Sequence, residues 1–571
     1  MNRKRNLVFL FTFVMFMMSS TLVFAADAET VAKNANNFGI FTIIPPLVAI
    51  ILAFITKNVV ISLFLGGLAG CFMLQLNDYN IFGALIHSFL DFVQRSLNSL
   101  ADPWNAGIVL QVLIIGGIIN LVSKMGGAKA VAEALAKKAK TPRSAQIVTW
   151  FLGIVVFFDD YANSLIVGPI MKPVADKMRV SRERLAFIID ATAAPIAGIA
   201  IVSTWVGLEV GLINDAFDGI GVSVDAFGVF CQTIPYRFYN ILILAFVVIT
   251  SLMLRDFGPM RKAEIRARQG HKVIENIELS KEMKEDMEVK EGVKLSVWNA
   301  IIPIGTLIIS ALASFYYSGY STIMSGEDAA VQAIFDNSLI SFDAIQQAFS
   351  NADASVALFQ SALFTSIVTI VIAVCKKIFT ISEAIDVWVD GMKGLVITGV
   401  ILILAWSLSS VIKELGTASY LTSLLSNSVP RFLLPSVIFI FGSVISFATG
   451  TAYGTMGILM PLAIPLAYAI NPDMSYVVMS TSAVLTGAIF GDHCSPISDT
   501  TILSSMGAGC NHIEHVKTQI WYALFIAVFT ILFGYIPVGL GLPVYIVLPM
   551  AIVVLAIAVY FLGKPVDEVE E

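Results

Sequence analysis

Charge is scarce in this chain. Of its 571 residues only 13% are Asp, Glu, Lys or Arg, against 57% hydrophobic. With a mean hydropathy of +0.84, a water-soluble fold is excluded. Cysteine and histidine are also few, five of each. Cys71, Cys231, Cys375, Cys494 and Cys510 form no C-x-x-C pair, and they read as ordinary buried thiols. There is no G-x-x-x-x-G-K-[ST] phosphate loop, no H-E-x-x-H and no serine nucleophile elbow. Any work the protein does must therefore draw on a gradient or on a separate subunit. No catalytic pair stands out, so the chain does not read as an enzyme, and no cofactor is expected. Strand-length alternation between turns is missing as well, which argues against a membrane barrel.

What is present is a series of apolar runs close to the roughly 20 residues that a spanning helix needs. They fall at 39–55, 59–76, 105–123, 185–206, 236–254, 296–318, 354–375, 394–412, 474–508, 519–538 and 541–562, with shorter paired stretches at 145–171 and 431–470. The pattern predicts an all-α polytopic membrane protein of about 11–13 transmembrane helices. Residues 1–26 carry Arg3-Lys4-Arg5 ahead of an apolar run and end at Val23-Phe24-Ala25. They read as a signal peptide or a first membrane helix.

Loop charges give the orientation. Lys124, Lys129, Lys137, Lys138, Lys140 and Arg143 crowd one loop with a single acid, Glu133, so that loop is cytoplasmic. The segments 207–235 and 319–353 are acidic without a basic residue and read as external, Glu209 being taken for a loop acid. Residues 255–295 mix both signs and read as a charged cytoplasmic linker, a solvated face rather than a nucleic-acid site.

Two acidic stretches interrupt the apolar pattern. One is Asp159-Asp160-Tyr161-Ala162-Asn163-Ser164; the other runs from Gly491 to Thr501 and holds Asp492, His493, Ser495, Pro496, Ser498, Asp499 and Thr500. An ionised carboxylate at bilayer depth costs roughly 2.5–3.5 kcal/mol, so it needs a partner, a cavity or a task. Basic residues flank 145–171 on both sides, from Lys140 and Arg143 to Lys172 and Lys177. Its short arms therefore read as a re-entrant hairpin with the acids at its tip. Thr449-Gly450-Thr451-Ala452-Tyr453-Gly454 interrupts 431–470 in the same manner. A broken span follows each hairpin, marked by Pro195 and by Pro496. Opposite orientation of the two hairpins gives two inverted repeats whose unwound segments meet at mid-depth. The expected layout is repeat 1 at 39–254, the linker at 255–295, repeat 2 at 296–538, and a C-terminal helix and tail at 539–571.

Hydroxyls, freed carbonyls and carboxylates are the hard oxygen ligands a small cation exchanges for water. Asp159, Asp160, Asn163, Thr449, Thr451, Asp492, Ser495, Ser498, Asp499 and Thr500 are accordingly the expected ion or substrate ligands. Pro195, Pro496, Gly450 and Gly454 are the expected helix breakers. Consecutive residues point apart, so one of Asp159 and Asp160 should face the cavity; Asp160 is favoured, with Tyr161 as a polar support. Structural alternatives stand beside these roles: Asp499 as the opening residue of a half-helix, the Asp159-Asp160 pair neutralised by a lysine, and His493 as a proton carrier or a hydrogen-bonded structural group. Cys510-Asn511-His512-Ile513-Glu514-His515 lacks zinc-motif spacing.

The run Phe158–Ser164, the run Gly491–Thr501 and the opening Ile44-Pro45-Pro46-Leu47-Val48-Ala49-Ile50 resemble the NhaC family of sodium/proton antiporters. The resemblance implies an inner-membrane secondary antiporter that exchanges cytoplasmic Na+ for external protons, with Asp160 and Asp499 binding Na+. It also leaves room for a homodimer, and for exchange of organic acids of the malate and lactate type, or of amino acids. Under the sodium/proton reading Asp499→Asn and Asp160→Asn should each abolish exchange.

Overall fold

The computed structural model describes residues 28–270, 289–417, 420 and 430–566, apart from positions 57, 158, 202, 291 and 327–328. Residues 1–26, the expected leader or first helix, lie outside the described residues. The fold is helical throughout, except for a two-residue ladder pairing Arg255–Asp256 with Lys564–Pro565. Among the described residues ten helices are long and apolar enough to cross a membrane. The count is eleven if the pair Ala226–Tyr236 and Phe238–Met253, bent by 44°, forms one span, and Val59–Gln75 is a shorter apolar helix.

Two helices escaped the hydropathy reading because they are amphipathic. Ile81–Ala101 buries Asp91 and Arg95, which pair with each other at 3.0 Å. Ile381–Gly394 carries Glu383, Asp386, Asp390 and Lys393 along its length. Packed against other helices, Ile81–Ala101 hides polar groups that a lipid-facing span could not, whereas Ile381–Gly394 keeps Asp390 and Lys393 exposed. Glu209 is a correction of the opposite kind. It is no loop acid but a fully buried residue within Thr204–Asp218, ion-paired to Arg237 at 2.6 Å.

The start of the linker is also docked rather than solvated. Asp256 accepts from Arg184 at 3.1 Å and from Tyr522 at 2.7 Å, and Glu264 accepts from the backbone of Ser181 at 2.7 Å. Most of the remaining linker, 271–288, lies outside the described residues.

The first hairpin is Pro142–Val155 and Asp160–Lys177; the second is Leu434–Thr449 and Ala452–Ile470. Gly450 closes the arm before the second tip at φ +69°, a backbone setting that favours a residue without Cβ. The first broken helix runs Arg182–Ala191, then a short turn Ala194–Ala197, then Thr204–Asp218. The second runs Met474–Cys494, then Asp499–Ala508. Each hairpin packs against the first half of its own broken helix and the second half of the other's. That exchange of halves is what two oppositely oriented repeats produce when their breaks meet.

Candidate functional site

Asp160–Lys177 and Asp499–Ala508 run side by side in the same direction, away from a common starting point. Ser164 and Ser504 hydroxyls lie 3.3 Å apart, and a Cβ on Gly168 would sit 2.5 Å from the backbone of Gly507. Only glycine at both positions permits this approach. Two helix N-termini, each headed by an aspartate, are thereby fixed next to each other. The partial positive charge of each N-terminus offsets its acid.

At that point opens a cavity of about 490 Å³ lined by Asp159, Tyr161, Asp499, Asp390, Asn120 and Lys129, among others. Lys129 belongs to the basic loop, so the opening lies on the side read as cytoplasmic. Asp499 is exposed within the cavity, while Asp159 is 7% exposed. The Tyr161 hydroxyl donates to Asp499 Oδ2 at 3.3 Å, joining the first hairpin tip to the second broken helix. Asp159, Asp160, Asp492 and Asp499 all lie within electrostatic reach of Tyr161. Aspartates from the two repeats thus converge on one solvent-accessible space.

The preference for Asp160 over Asp159 as the cavity-facing acid is corrected. Asp159 lines the cavity and accepts from Thr204 Oγ1 at 3.2 Å, at the start of the first broken helix's second half. Asp160 is buried and opens its helix.

Several other expected ligands are committed to holding the breaks. Asn163 donates to the carbonyls of Gly153 and Thr192 at 2.8 and 2.6 Å, tying both arms of its hairpin to the break that follows. Ser495 donates to the Phe447 carbonyl at 2.7 Å. Asp492 accepts from Ser498 at 2.8 Å, Ser498 meets Thr500 at 3.0 Å, and Thr501 donates to the Asp492 carbonyl at 3.1 Å. Thr449 turns back onto the Ser446 carbonyl at 3.4 Å, and Thr451 caps Ala452–Ile470 without a side-chain cap bond.

Pro496 breaks its helix as expected, but its carbonyl receives His512 Nε2 at 2.7 Å and is not free for an ion. The Pro195 carbonyl is likewise taken, by Asn240 at 2.9 Å. Gly454 is no breaker: it lies in the first turn of Ala452–Ile470, where its missing Cβ leaves room for Val59. His493 is the hydrogen-bonded structural group: its Nδ1 meets Tyr239 Oη at 2.8 Å. His515 binds Asp190 at 3.2 Å.

The model of the Na+/H+ antiporter family matches residues 5–200 and 196–540. The chain belongs to that family. It is a multi-pass membrane protein and a secondary transporter. A protein of Haemophilus influenzae is 32% identical to it over 530 residues, which is 91% of this chain and 95% of that one. The Na+/H+ antiporter NhaC of Alkalihalophilus pseudofirmus is 32% identical over 124 residues, 21% of this chain and 24% of the relative. The YdaH transporter of Alcanivorax borkumensis shares the fold at 14% identity with a TM-score of 0.50, covering 79% of this chain and 90% of that one.

Within this antiporter fold, the site residue that sequence reading missed is Asp390. It sits on an amphipathic helix and pairs with Lys393 at 2.7 Å beside the cavity. Its one available signal was spacing: Glu383, Asp386 and Asp390 recur at helical intervals in a chain otherwise poor in charge.

Proposed function

We propose that this antiporter exchanges cytoplasmic Na+ for external protons by alternating access. The observation that carries the reading is Asp499: an exposed carboxylate lining an open cavity and bridged by Tyr161 to the opposite repeat. Asp159 and Asp499 are the competing ligands, with Tyr161 as a neutral oxygen between them and Asp160 as a buried carboxyl behind. Sodium reaches the carboxylates from the cytoplasmic cavity. Protons arriving from the other face neutralise them and release it. Rocking of one repeat against the other then changes the side of access. Trp205 and Tyr453, next to the breaks, meet edge to face at 4.8 Å and join the two repeats there. The setting is the bacterial inner membrane, and a homodimer is compatible with the reading.

Purified protein in liposomes with an imposed pH gradient tests this. Addition of Na+ alone should dissipate the gradient, and Asp499→Asn should not support it. Full Na+-dependent activity in that variant would sink the assignment.

A second reading has its own support. The cavity volume of about 490 Å³ falls in the range, roughly 300–1,000 Å³, of sites that hold small organic molecules. Thr204–Asp218 and Ala452–Ile470 also begin at the breaks, headed by Ser203 and Thr451 rather than by acids, and such N-termini suit a carboxylate. An exchanger of organic acids or amino acids would dissipate the gradient only when the solute is supplied with Na+.

A further inference from the structure

On the face opposite the basic loops lies a second polar cavity of about 440 Å³, lined by Arg95, Asp102, Asn105, Asp215, Asp218 and Ser410 among others. Most of its charged groups are engaged. Arg95 is held by Asp91 at 3.0 Å and Glu414 at 2.5 Å, Asp102 caps the helix that follows it, and Asp218 accepts from Asn214 at 3.1 Å. Asp215, which Ser409 and Lys413 also face, keeps its buried Oδ2 without a hydrogen-bond partner.

Asp215 lies about three helical turns from Thr204 on the same face of Thr204–Asp218. Thr204 is the residue bonded to Asp159. Between them the neighbouring helix Pro103–Lys124 places Gln111 over Gly207, where any side chain would collide with the carboxamide. Gln111 is fully buried, and neither its nitrogen nor its oxygen has a partner. A buried carboxamide that satisfies none of its hydrogen bonds is costly, and such a group marks strain, a functional role or a site for an ordered water or ion. One turn further out, Trp406 is nearly fully buried and closes the line, its indole N–H reaching the Gly211 carbonyl at 3.5 Å.

We propose that the outer cavity and Gln111 form the external half of the ion path. Asp215 gathers monovalent cations, protons or Na+, from outside. Gln111 passes them, with water, to the Thr204–Asp159 break when Trp406 moves off Gly211. This deepens the exchange reading and rests on it.

The test uses full-length protein in right-side-out vesicles, with Cys375, the exposed native thiol, replaced by serine. A membrane-impermeant cationic thiol reagent is added to Gln111→Cys and Asp215→Cys from either face. Both should react from outside, whether or not the cytoplasmic reagent also reaches Gln111→Cys. Separately, Gln111→Leu should lower Na+-driven exchange at least about tenfold, yet keep the Na+-dependent rise in melting midpoint of the parent, because the cytoplasmic site is intact. Reaction of Gln111→Cys only from the cytoplasmic face, reaction from neither face, or Gln111→Leu exchanging within about twofold of the parent would each overturn the proposal. A parent protein that never exchanges Na+ for protons would refute the function reading instead, while labelling still judges the route.

Discussion

Tyr161 is worth more attention than its single hydroxyl suggests. It joins a tip residue of one repeat to Asp499 of the other, so it senses whether the two are assembled around an ion. Its loss removes one hydrogen bond to a carboxylate, long at 3.3 Å and so worth about 1 kcal/mol. Tyr161→Phe is therefore expected to raise the half-saturating Na+ concentration about fivefold with little change in maximal rate, read from Na+ titrations in proteoliposomes. An unchanged Na+ titration would remove Tyr161 from the site. The aspartates and Tyr161 stood out in the sequence because a polar residue at bilayer depth is conspicuous, and Gly450 and Pro496 because they end helices, whereas Gly454 lies within one. Which of Asp159 and Asp160 faces the cavity was not, since adjacent residues differ only in the direction their backbone gives them.

At the scale of elements, function depends on two helices lying close enough to bring their N-terminal acids together. Gly168→Val would force Asp160–Lys177 away from the Gly507 backbone, and it is expected to abolish exchange. Gly305→Ala, at a helical position with nothing within 4 Å, should leave exchange intact and stabilise its helix by roughly 0.5–1 kcal/mol. Expression-matched transport assays distinguish the two.

Ile381–Gly394, which carries Asp390, is held at its start by a capping box between Thr380 and Glu383 and by Lys290 at 2.9 Å. The Thr380 backbone N–H, then Lys290, hold the Glu383 carboxyl down to about 2. A depressed carboxylate contributes its stabilisation above the ordinary glutamate range and loses it only as pH falls through about 2. This anchor is therefore constant from pH 5 to 9, and Glu383→Gln should not alter the shape of the pH–activity profile across that window. A displaced profile in the variant would mean that Glu383 takes part in proton coupling.

At the scale of the whole molecule, the two repeats must move against each other without unravelling at their breaks. The buried pair Glu209–Arg237 guards one of them: Arg237 also donates to the Gly198 carbonyl at 2.7 Å, inside the first break, and to Thr233 at 3.1 Å. Removing one member of a fully buried pair leaves an uncompensated charge and costs roughly 3–5 kcal/mol. Arg237→Met should accordingly lower the melting midpoint in detergent sharply, and adding Glu209→Leu should recover much of the loss. If the double variant melts no higher than the single one, the hydrogen bond to Gly198 rather than the buried charge is what matters.

Hydropathy, loop charge and the two acidic interruptions were enough to determine a polytopic helical transporter with paired hairpins and broken helices, because each of those signals is a local demand of the bilayer on the chain. They could not reveal Ile81–Ala101, whose Asp91 and Arg95 are buried against each other, or Ile381–Gly394, whose Asp390 and Lys393 stay exposed. Nor could they place Asp390 at the cavity, or show that the carbonyls of Pro195 and Pro496 and the amide of Asn163 are already taken. Those facts depend on contacts between residues hundreds of positions apart. Only the exchange of half-helices between the repeats decides which oxygens face the ion and which hold the protein together.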